Sequence, residues 1–390
     1  MDTFGLSAMQ IDSAGAHWTA REVVQQPRIW AEIETLIAGE AARLAAFLDP
    51  LLKLPNLRIL LTGAGTSAHI GECLAPTLAR TLDRRVDAIP TTDLVASPQS
   101  YLSRSTPTLV VSFGRSGNSP ESVGALEIAD ACLTYCSHLV FTCDAEGALY
   151  KRASMARDSY VILLPEGSND RGFAMTSSFT GMLLAAALAF RAAPTGGPRM
   201  SALAHLAEQV LPDSMPLLQS LVSQNFTRVV YLGSKEFKGL AKEAALKMLE
   251  LTDGKVVAIA DAPLGFRHGP KTILNGSTLV VVFVSNDDYT RQYDLDLIGE
   301  LRRDAVAGRV VTLSVRADTP RHPDNLVLDT ARDSTDTCDL ELCLPYAVFA
   351  QALALLCSMS LGVRPDIPNA AGTVSRVVKG VSIHPWRGGA

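Results

Sequence analysis

Charge is scarce in this chain of 390 residues, and none of it is in surplus on the basic side. Charged residues make up 19% and the formal net charge is -5. A protein that grips a nucleic-acid backbone needs a basic face, so that class is excluded. A small anion needs only local positive charge and stays open. Cysteine pairs with redox or metal spacing are missing as well. The seven cysteines, Cys73, Cys132, Cys136, Cys143, Cys338, Cys343 and Cys357, include no C-x-x-C. Their number is odd and several sit in apolar stretches, which predicts buried free thiols in a reducing cytoplasm. Cys132 and Cys136 are spaced to share a helix face and read as core. No Cys/His pair has zinc-ligand spacing, so no metal is expected. There is no G-x-S-x-G nucleophile elbow, and Gly63-x-Gly65 lacks the third glycine of a dinucleotide fingerprint, which argues against NAD. Met1 to Gln10 has neither the basic start nor the apolar core of a signal peptide, so the expected location is cytoplasmic.

Hydrophobic residues reach 47%, enough for two domains with substantial cores. Leu342 to Val363 carries no charge and is long enough to span a bilayer, but Pro345, Gln351, Ser358 and Ser360 interrupt it. A buried or interface helix is the expectation, and no membrane partner.

Three strand-like segments recur at one offset of 170 residues: Arg58 to Gly63 with Arg228 to Gly233, Thr108 to Val111 with Thr278 to Val281, and Val140 to Thr142 with Val310 to Thr312. A fixed offset over three separate segments predicts two copies of one domain. Within each copy, short continuous apolar runs alternate with helix-like stretches such as Ser122 to Leu133 and Leu240 to Leu251. That alternation predicts an α/β fold of two tandem doubly wound, flavodoxin-like domains with parallel sheets. The expected organisation is a helical extension over 1–50 (helical pattern from Ala31 to Phe47), domains over 51–198 and 199–364, and a Pro- and Gly-rich tail over 365–390. Pro194-Thr-Gly-Gly-Pro198 reads as the linker between the copies.

In such folds ligands sit at the carboxyl ends of the strands. After the first strand comes Gly63-Ala-Gly-Thr-Ser67, a turn through which backbone can approach a ligand, with hydroxyls on Thr66 and Ser67. After the next repeated strand comes Ser112-Phe-Gly-Arg-Ser-Gly-Asn-Ser-Pro120. Ser119 suits an N-cap and Pro120 the first helical position. Free amides at a helix start, the hydroxyls of Ser116 and Ser119, and the charge of Arg115 together predict a phosphate site. In the second copy Gly233-Ser-Lys-Glu and Val284-Ser-Asn-Asp287 put acidic residues at the matching places, which would repel phosphate.

Lys247 and Glu250 are spaced i, i+3 and form a stripe with Glu243. The stripe fits either a surface ion-pair ladder or an acid/base pair facing the ligand crevice. His268, in Arg267-His-Gly-Pro270, is of the residue type most used for proton transfer and equally suits a loop histidine bonded to backbone.

The loops at 63–67 and 112–120, with Asn169-Asp-Arg-Gly-Phe-Ala-Met-Thr-Ser-Ser-Phe179 and Thr373 to Ile383, resemble motifs of the SIS (sugar isomerase) domain family. The resemblance covers about residues 40 to 385. It is tightest to the galactosamine-6-phosphate deaminase/isomerase group, also labelled tagatose-6-phosphate ketose/aldose isomerase, and extends to the isomerase half of glucosamine-6-phosphate synthase. It implies sugar-phosphate contacts at Gly65, Thr66, Ser67, Arg115, Ser116, Ser119, Met175 and Thr176, with Arg115 and Met175 standing where the synthase has glutamine and serine. It implies that Glu250 is the base, that His268 opens the sugar ring, and that Lys247 and Lys379 serve catalysis. It further implies a homodimer or larger oligomer whose crevice is completed by His268 from a neighbour.

Deaminating isomerisation then needs a ring-opening group, a carboxylate that carries the C2 proton to C1, and a cation for the developing negative charge. No organic cofactor or metal is expected. The synthase carries its own ammonia-supplying domain; here about 50 residues precede the first strand and no N-terminal cysteine nucleophile is present, which predicts deamination as the working direction. Galactosamine 6-phosphate is the expected substrate. Glucosamine 6-phosphate, a 6-phosphofructosamine, and a non-catalytic sugar-phosphate sensor are the alternatives; the last lacks a basic helix-turn-helix candidate here.

Overall fold

The structure, a computed structural model, describes residues 4–192, 198–317, 322–329, 337–378 and 380–386. Lys379 and linker positions 194–197 lie outside the described residues.

Among the described residues, ten strands form two parallel sheets. The first contains β1 (Arg58–Thr62), β2 (Arg85–Ala88), β3 (Thr108–Gly114), β4 (Cys136–Thr142) and β5 (Ser159–Leu163), in the order β2-β1-β3-β4-β5. The second contains β6 (Arg228–Gly233), β7 (Val257–Asp261), β8 (Thr278–Phe283), β9 (Arg309–Ser314) and β10 (Asn325–Val327), in the order β10-β9-β8-β6-β7. Read from its other edge, the second order is the first one again. Register repeats too: Arg58 pairs with Thr108 and Arg228 with Thr278. The expected α/β architecture with two doubly wound sheets is therefore present. β3 and β8 are buried along their whole length, which is why they read as unbroken apolar runs.

Longer helices connect the strands: α1 (Gln26–Leu52), α2 (Thr66–Leu82), α3 (Pro120–Cys132), α4 (Ser177–Ala189), α5 (Pro198–Val222), α6 (Glu236–Leu251), α7 (Asp288–Asp304) and α8 (Asp339–Ser360). Two compact units result, each discontinuous in sequence. One holds the first sheet and comprises Ile29–Asn169, Ser177–Thr195 and Ala371–Ala390; the other holds the second sheet and comprises Met1–Arg28, Asp170–Thr176 and Gly196–Ala370. In the first, Leu60, Val110, Ala125 and Ala129 form core between sheet and α3. In the second, Val230, Leu232, Val280 and Val282 pack with Leu297, Ile298 and Leu301 of α7 and with Phe266.

α8 contains most of the uncharged stretch. It is long and apolar enough to cross a membrane, yet 89% of its apolar window is buried, where it packs on α5 and α6 of its own unit. Burial inside the subunit accounts for this stretch, so it does not by itself point to an oligomer interface.

One expectation is corrected. Cys132 and Cys136 do not share a helix face: α3 ends at Cys132, Leu133 is already extended, and Cys136 opens β4. The run 136–142 ends in Val140, Phe141 and Thr142, which favour a strand, and β4 is paired on both edges.

Candidate active site

Adjacent strands whose connections depart in opposite directions leave a crevice at their carboxyl ends. In the first sheet that point lies between β1 and β3, and the loops at 63–67 and 112–120 flank it. Gly63 is constrained by contact, since a Cβ there would lie 2.6 Å from the Ser67 backbone. Gly65 is constrained by conformation: it caps α2 with φ 56° and ψ -127°, which L side chains rarely adopt. These two glycines bring Thr66 and Ser67 to the buried start of α2.

The second loop is built as its sequence implies. Ser119 is the N-cap of α3, accepting from Ser122 N at 3.2 Å, and Pro120 follows in the first helical turn. Ser116 Oγ accepts from Asn118 N at 3.3 Å. The buried Arg115 donates to the carbonyl of Arg376 at 3.2 Å, so the tail touches this loop. Farther along, Ile383 fills the space beside Gly124 of α3, where a Cβ would come within 3.1 Å of it.

The segment after β4 supports the loop from beneath and carried no signal in the sequence. Leu149 N donates to Gly117 O at 2.9 Å, Ala148 N to Asn118 Oδ1 at 3.0 Å, and Cys143 N to Arg115 O at 3.0 Å. Gly147 lets this segment approach, because a Cβ there would sit 2.2 Å from the Ser116 carbonyl oxygen. Thr62 and Ser112, register partners at the ends of β1 and β3, are buried with hydroxyls that have no hydrogen-bond partner among the described residues.

The matching point of the second sheet is occupied from within. Lys235 caps α6 with φ 52° and ψ -121°, the geometry glycine holds at position 65. The Asp339 carboxylate, from the first turn of α8, accepts from Ser285 Oγ and from Asn286 N, both at 2.6 Å, and Lys235 Nζ lies 3.5 Å away. Asp294 accepts from Ser234 Oγ at 2.7 Å and Ser285 N at 2.9 Å. The donors that would hold an anion here already serve two carboxylates, in line with the expected loss of phosphate chemistry in this copy.

α6 carries Glu243, Lys247 and Glu250 on one face, and this stripe is not a surface ladder. Lys247 is 1% exposed and Glu243 2%, whereas Glu250 keeps 26% of its side chain accessible. Lys247 Nζ lies 3.3 Å from Glu243 Oε1 and is bonded to Glu250 Oε2. Burial pushes the Lys247 ammonium down, but Glu243 and then Glu250 more than offset this, and the net displacement is upward. Lys247 therefore stays cationic and cannot act as a base near neutrality, while the adjacent carboxylate remains accessible.

His268 lies exposed at the apex between the short helix Pro263–Phe266 and the 3-10 turn Pro270–Ile273, its N–H donating to Gly265 O at 2.9 Å. Met175 and Thr176 belong to the 170–176 segment. Thr176 is fully buried and donates its hydroxyl to Asp170 Oδ1 at 3.0 Å, while Met175 is half-buried. Glu22 holds the segment's other end, accepting from Arg171 N at 2.5 Å and Gly172 N at 3.1 Å. Burial, and then the neighbouring Asp170, push the Glu22 carboxyl up to about 8.

Folding also gathers Asp130, Cys136 and His138, whose potential ligand atoms lie within 4.8 Å of one another. Asp130 and Cys136 both address the same ring nitrogen, at 2.8 and 3.4 Å, and Arg152 takes the other Asp130 oxygen at 2.9 Å. Burial first, and then Asp130, push the Cys136 thiol up to about 12. The group reads as a hydrogen-bonded strut: a nucleophilic triad would need Asp130 on the opposite ring nitrogen.

The chain is also similar to known proteins. Residues 52–192 match the SIS domain. The D-galactosamine-6-phosphate deaminase AgaS of Escherichia coli is 44% identical over 377 residues, 96% of this chain and 97% of that protein. The protein of the same name from Shewanella sp. (strain ANA-3) is 43% identical over 98% of this chain and 95% of its own length. The crystal structure of tagatose-6-phosphate ketose/aldose isomerase from Escherichia coli superposes with a TM-score of 0.88 at 43% identity, covering 95% of this chain and 97% of that one. With identity sustained over nearly the whole length of these relatives, and with both parallel sheets in place, the chain belongs to the SIS-domain family, in the group of AgaS-type deaminases.

Proposed function

We propose that the protein converts galactosamine 6-phosphate and water into tagatose 6-phosphate and ammonia, as a cytoplasmic homo-oligomer. The observation that carries this reading is the stripe on α6, a buried ammonium bonded to an accessible carboxylate, in a chain 44% identical to a protein named for this deamination.

The assigned roles are those the family resemblance implies, and the chemistry of the residues fits them. The loops at 63–67 and 112–120 bind the phosphate through helix-start amides, the hydroxyls of Thr66, Ser67, Ser116 and Ser119, and the charge of Arg115. Gly65 sets the first turn, and the segment with Met175 and Thr176 contributes to the sugar pocket. His268 moves the proton that opens the ring. Glu250 then removes the proton from C2 of the free aldehyde, whose oxygen gains negative charge as the C1–C2 double bond forms. Lys247, with Lys379 of the tail, stabilises that charge. Glu250 returns the proton to C1, and one proton of the amine passes to the C1 oxygen as the carbon–nitrogen double bond forms. The C2 imine adds water, the carbon–nitrogen bond breaks, and ammonia leaves a ketone behind. The phosphate ester is untouched and no hydride is transferred.

The test is ammonia release by the full-length protein. Galactosamine 6-phosphate is expected to turn over faster than glucosamine 6-phosphate, and Glu250→Gln to lose at least a hundredfold in kcat. Equal activity of the Glu250→Gln protein would sink the reading. Binding of the sugar phosphate without ammonia release would favour a sensor instead.

A further inference from the structure

The apex that carries His268 is held at its trailing edge by Ile273 and Leu274, which pack against the core of the second-sheet unit. Phe266 anchors its leading edge in the core of the second-sheet unit. Beyond the His268 N–H bond to Gly265, the turn is closed by Thr272, whose N–H and hydroxyl both donate to Gly269 O, at 3.0 and 2.9 Å. Gly269 itself sits at φ 120°, a conformation without side-chain restraint. Neither contact fixes the direction in which the exposed imidazole points.

Helix α7 supplies what the turn lacks. Glu300 accepts from Arg267 Nε at 2.8 Å through one carboxylate oxygen and from Lys271 Nζ through the other. Lys271 also reaches Asp304 Oδ2 at 2.5 Å, one helical turn further on. A single carboxylate thus ties the residue immediately before His268 to the residue three after it. The participating side chains of Arg267, Lys271 and Glu300 are only a quarter exposed, and Arg267 reaches Glu300 through the directional Nε–H. The titration directions agree with an ion cluster: hydrogen bonds to Asp304 and Glu300 raise the Lys271 ammonium, and Lys271 lowers the Glu300 carboxyl.

We propose that Glu300 is a positioning residue for His268. By clamping Arg267 and Lys271 to α7 it fixes the apex on which the ring-opening imidazole is presented. The proposal rests on the reading of His268 as the ring-opening group. Pairs this close to solvent add little to global stability. Proton transfer, in contrast, is sensitive to displacements of an ångström or less. The clamp's effect is therefore expected in turnover rather than in folding.

The experiment compares wild type, Glu300→Gln, His268→Ala and the double variant in ammonia release from galactosamine 6-phosphate. Glu300→Gln is expected to lose roughly five- to a hundredfold in kcat, with KM within about twofold and an unchanged melting temperature. Added salt should lower kcat of the wild type toward that of Glu300→Gln, by screening the clamp, and leave Glu300→Gln unaffected. In the His268→Ala background Glu300→Gln should cost nothing more. Wild-type kcat in Glu300→Gln, or an equal loss in both backgrounds, overturns the proposal while leaving the role of His268 intact. Full activity of His268→Ala overturns the role of His268 and the proposal with it. If Glu300→Gln folds poorly, Lys271→Gln severs one arm of the clamp and is read in the same way, with the same outcomes decisive.

Discussion

A lysine side chain that is 1% exposed needs opposite charge within bonding distance, because an unmatched buried ammonium carries a desolvation penalty of several kcal/mol. Lys247 meets that need with two carboxylates, one buried and one accessible. The arrangement distinguishes two carboxylates on one helix face: Glu243 is buried with the ammonium, and Glu250, proposed above as the base, stays accessible. Glu22 shows the opposite economy. It is buried beside Asp170 and Asp366 and binds two backbone amides, and its carboxyl sits at about 8 against an ordinary 4.5. The folded chain therefore holds this proton more tightly than the unfolded chain does. Between pH 4.5 and about 8 the contribution of Glu22 to stability falls as pH rises. Asp294, pushed up to about 6 by burial, acts in the same direction over a lower window. Melting curves from pH 5 to 9 should show a declining melting temperature, and Glu22→Gln should flatten the decline above pH 6. A wild-type profile that climbs through this range would contradict the assignment.

At the scale of elements, the two sheets share an order and a register, but their crevices are finished differently. In the first, a glycine turn and a capped helix start form the loops that flank the crevice. In the second, the first turn of α8 delivers Asp339 to the equivalent donors. The carboxylate takes the place an outside anion would have and fastens α8 to the loop after β8. Replacing Asp339 with alanine strands Ser285 Oγ and Asn286 N in a buried setting and should cost about 2–4 kcal/mol. Urea denaturation at neutral pH measures this; a loss below about 0.5 kcal/mol, the size of an ordinary surface substitution, would show that the contact contributes little. Lys235 belongs to the same comparison. It keeps a backbone geometry that suits glycine, at a strain of order 1–3 kcal/mol, while placing its ammonium beside Asp339.

At the scale of the whole molecule, the ends of the chain are exchanged between the units: residues before 29 join the second sheet, and residues after 370 join the first. The proposed active site shared between subunits, with His268 supplied by a neighbour, leads to a direct test. Alone, Glu250→Gln and His268→Ala should each keep only a small, measurable residual turnover. Unfolded together in equal amounts and refolded, a two-fold dimer would regain about a quarter of wild-type activity, because half the dimers are mixed and each mixed dimer holds one intact site. No recovery on mixing would place both residues in one chain.

Much of this was legible before any tertiary information. Apolar runs at a constant offset mark parallel strands because both faces of such strands must be covered, and that demand is written residue by residue in Leu109 to Val111 and Leu279 to Val281. Gly65, Ser119 and Pro120 announce their turns because their conformational preferences are local. Contacts between residues distant in sequence were not legible: Gly147 under Ser116, Ile383 against Gly124, Asp339 in the second crevice, and Glu300 on both flanks of His268. Nor did spacing reveal whether Glu243, Lys247 and Glu250 lay on the surface or inside, since periodicity names a helix face and not what covers it. Backbone geometry and strand burial are properties of short segments and are fixed by sequence. Which charges are desolvated, and which side chain fills a given set of donors, is settled only when segments far apart in the chain come together.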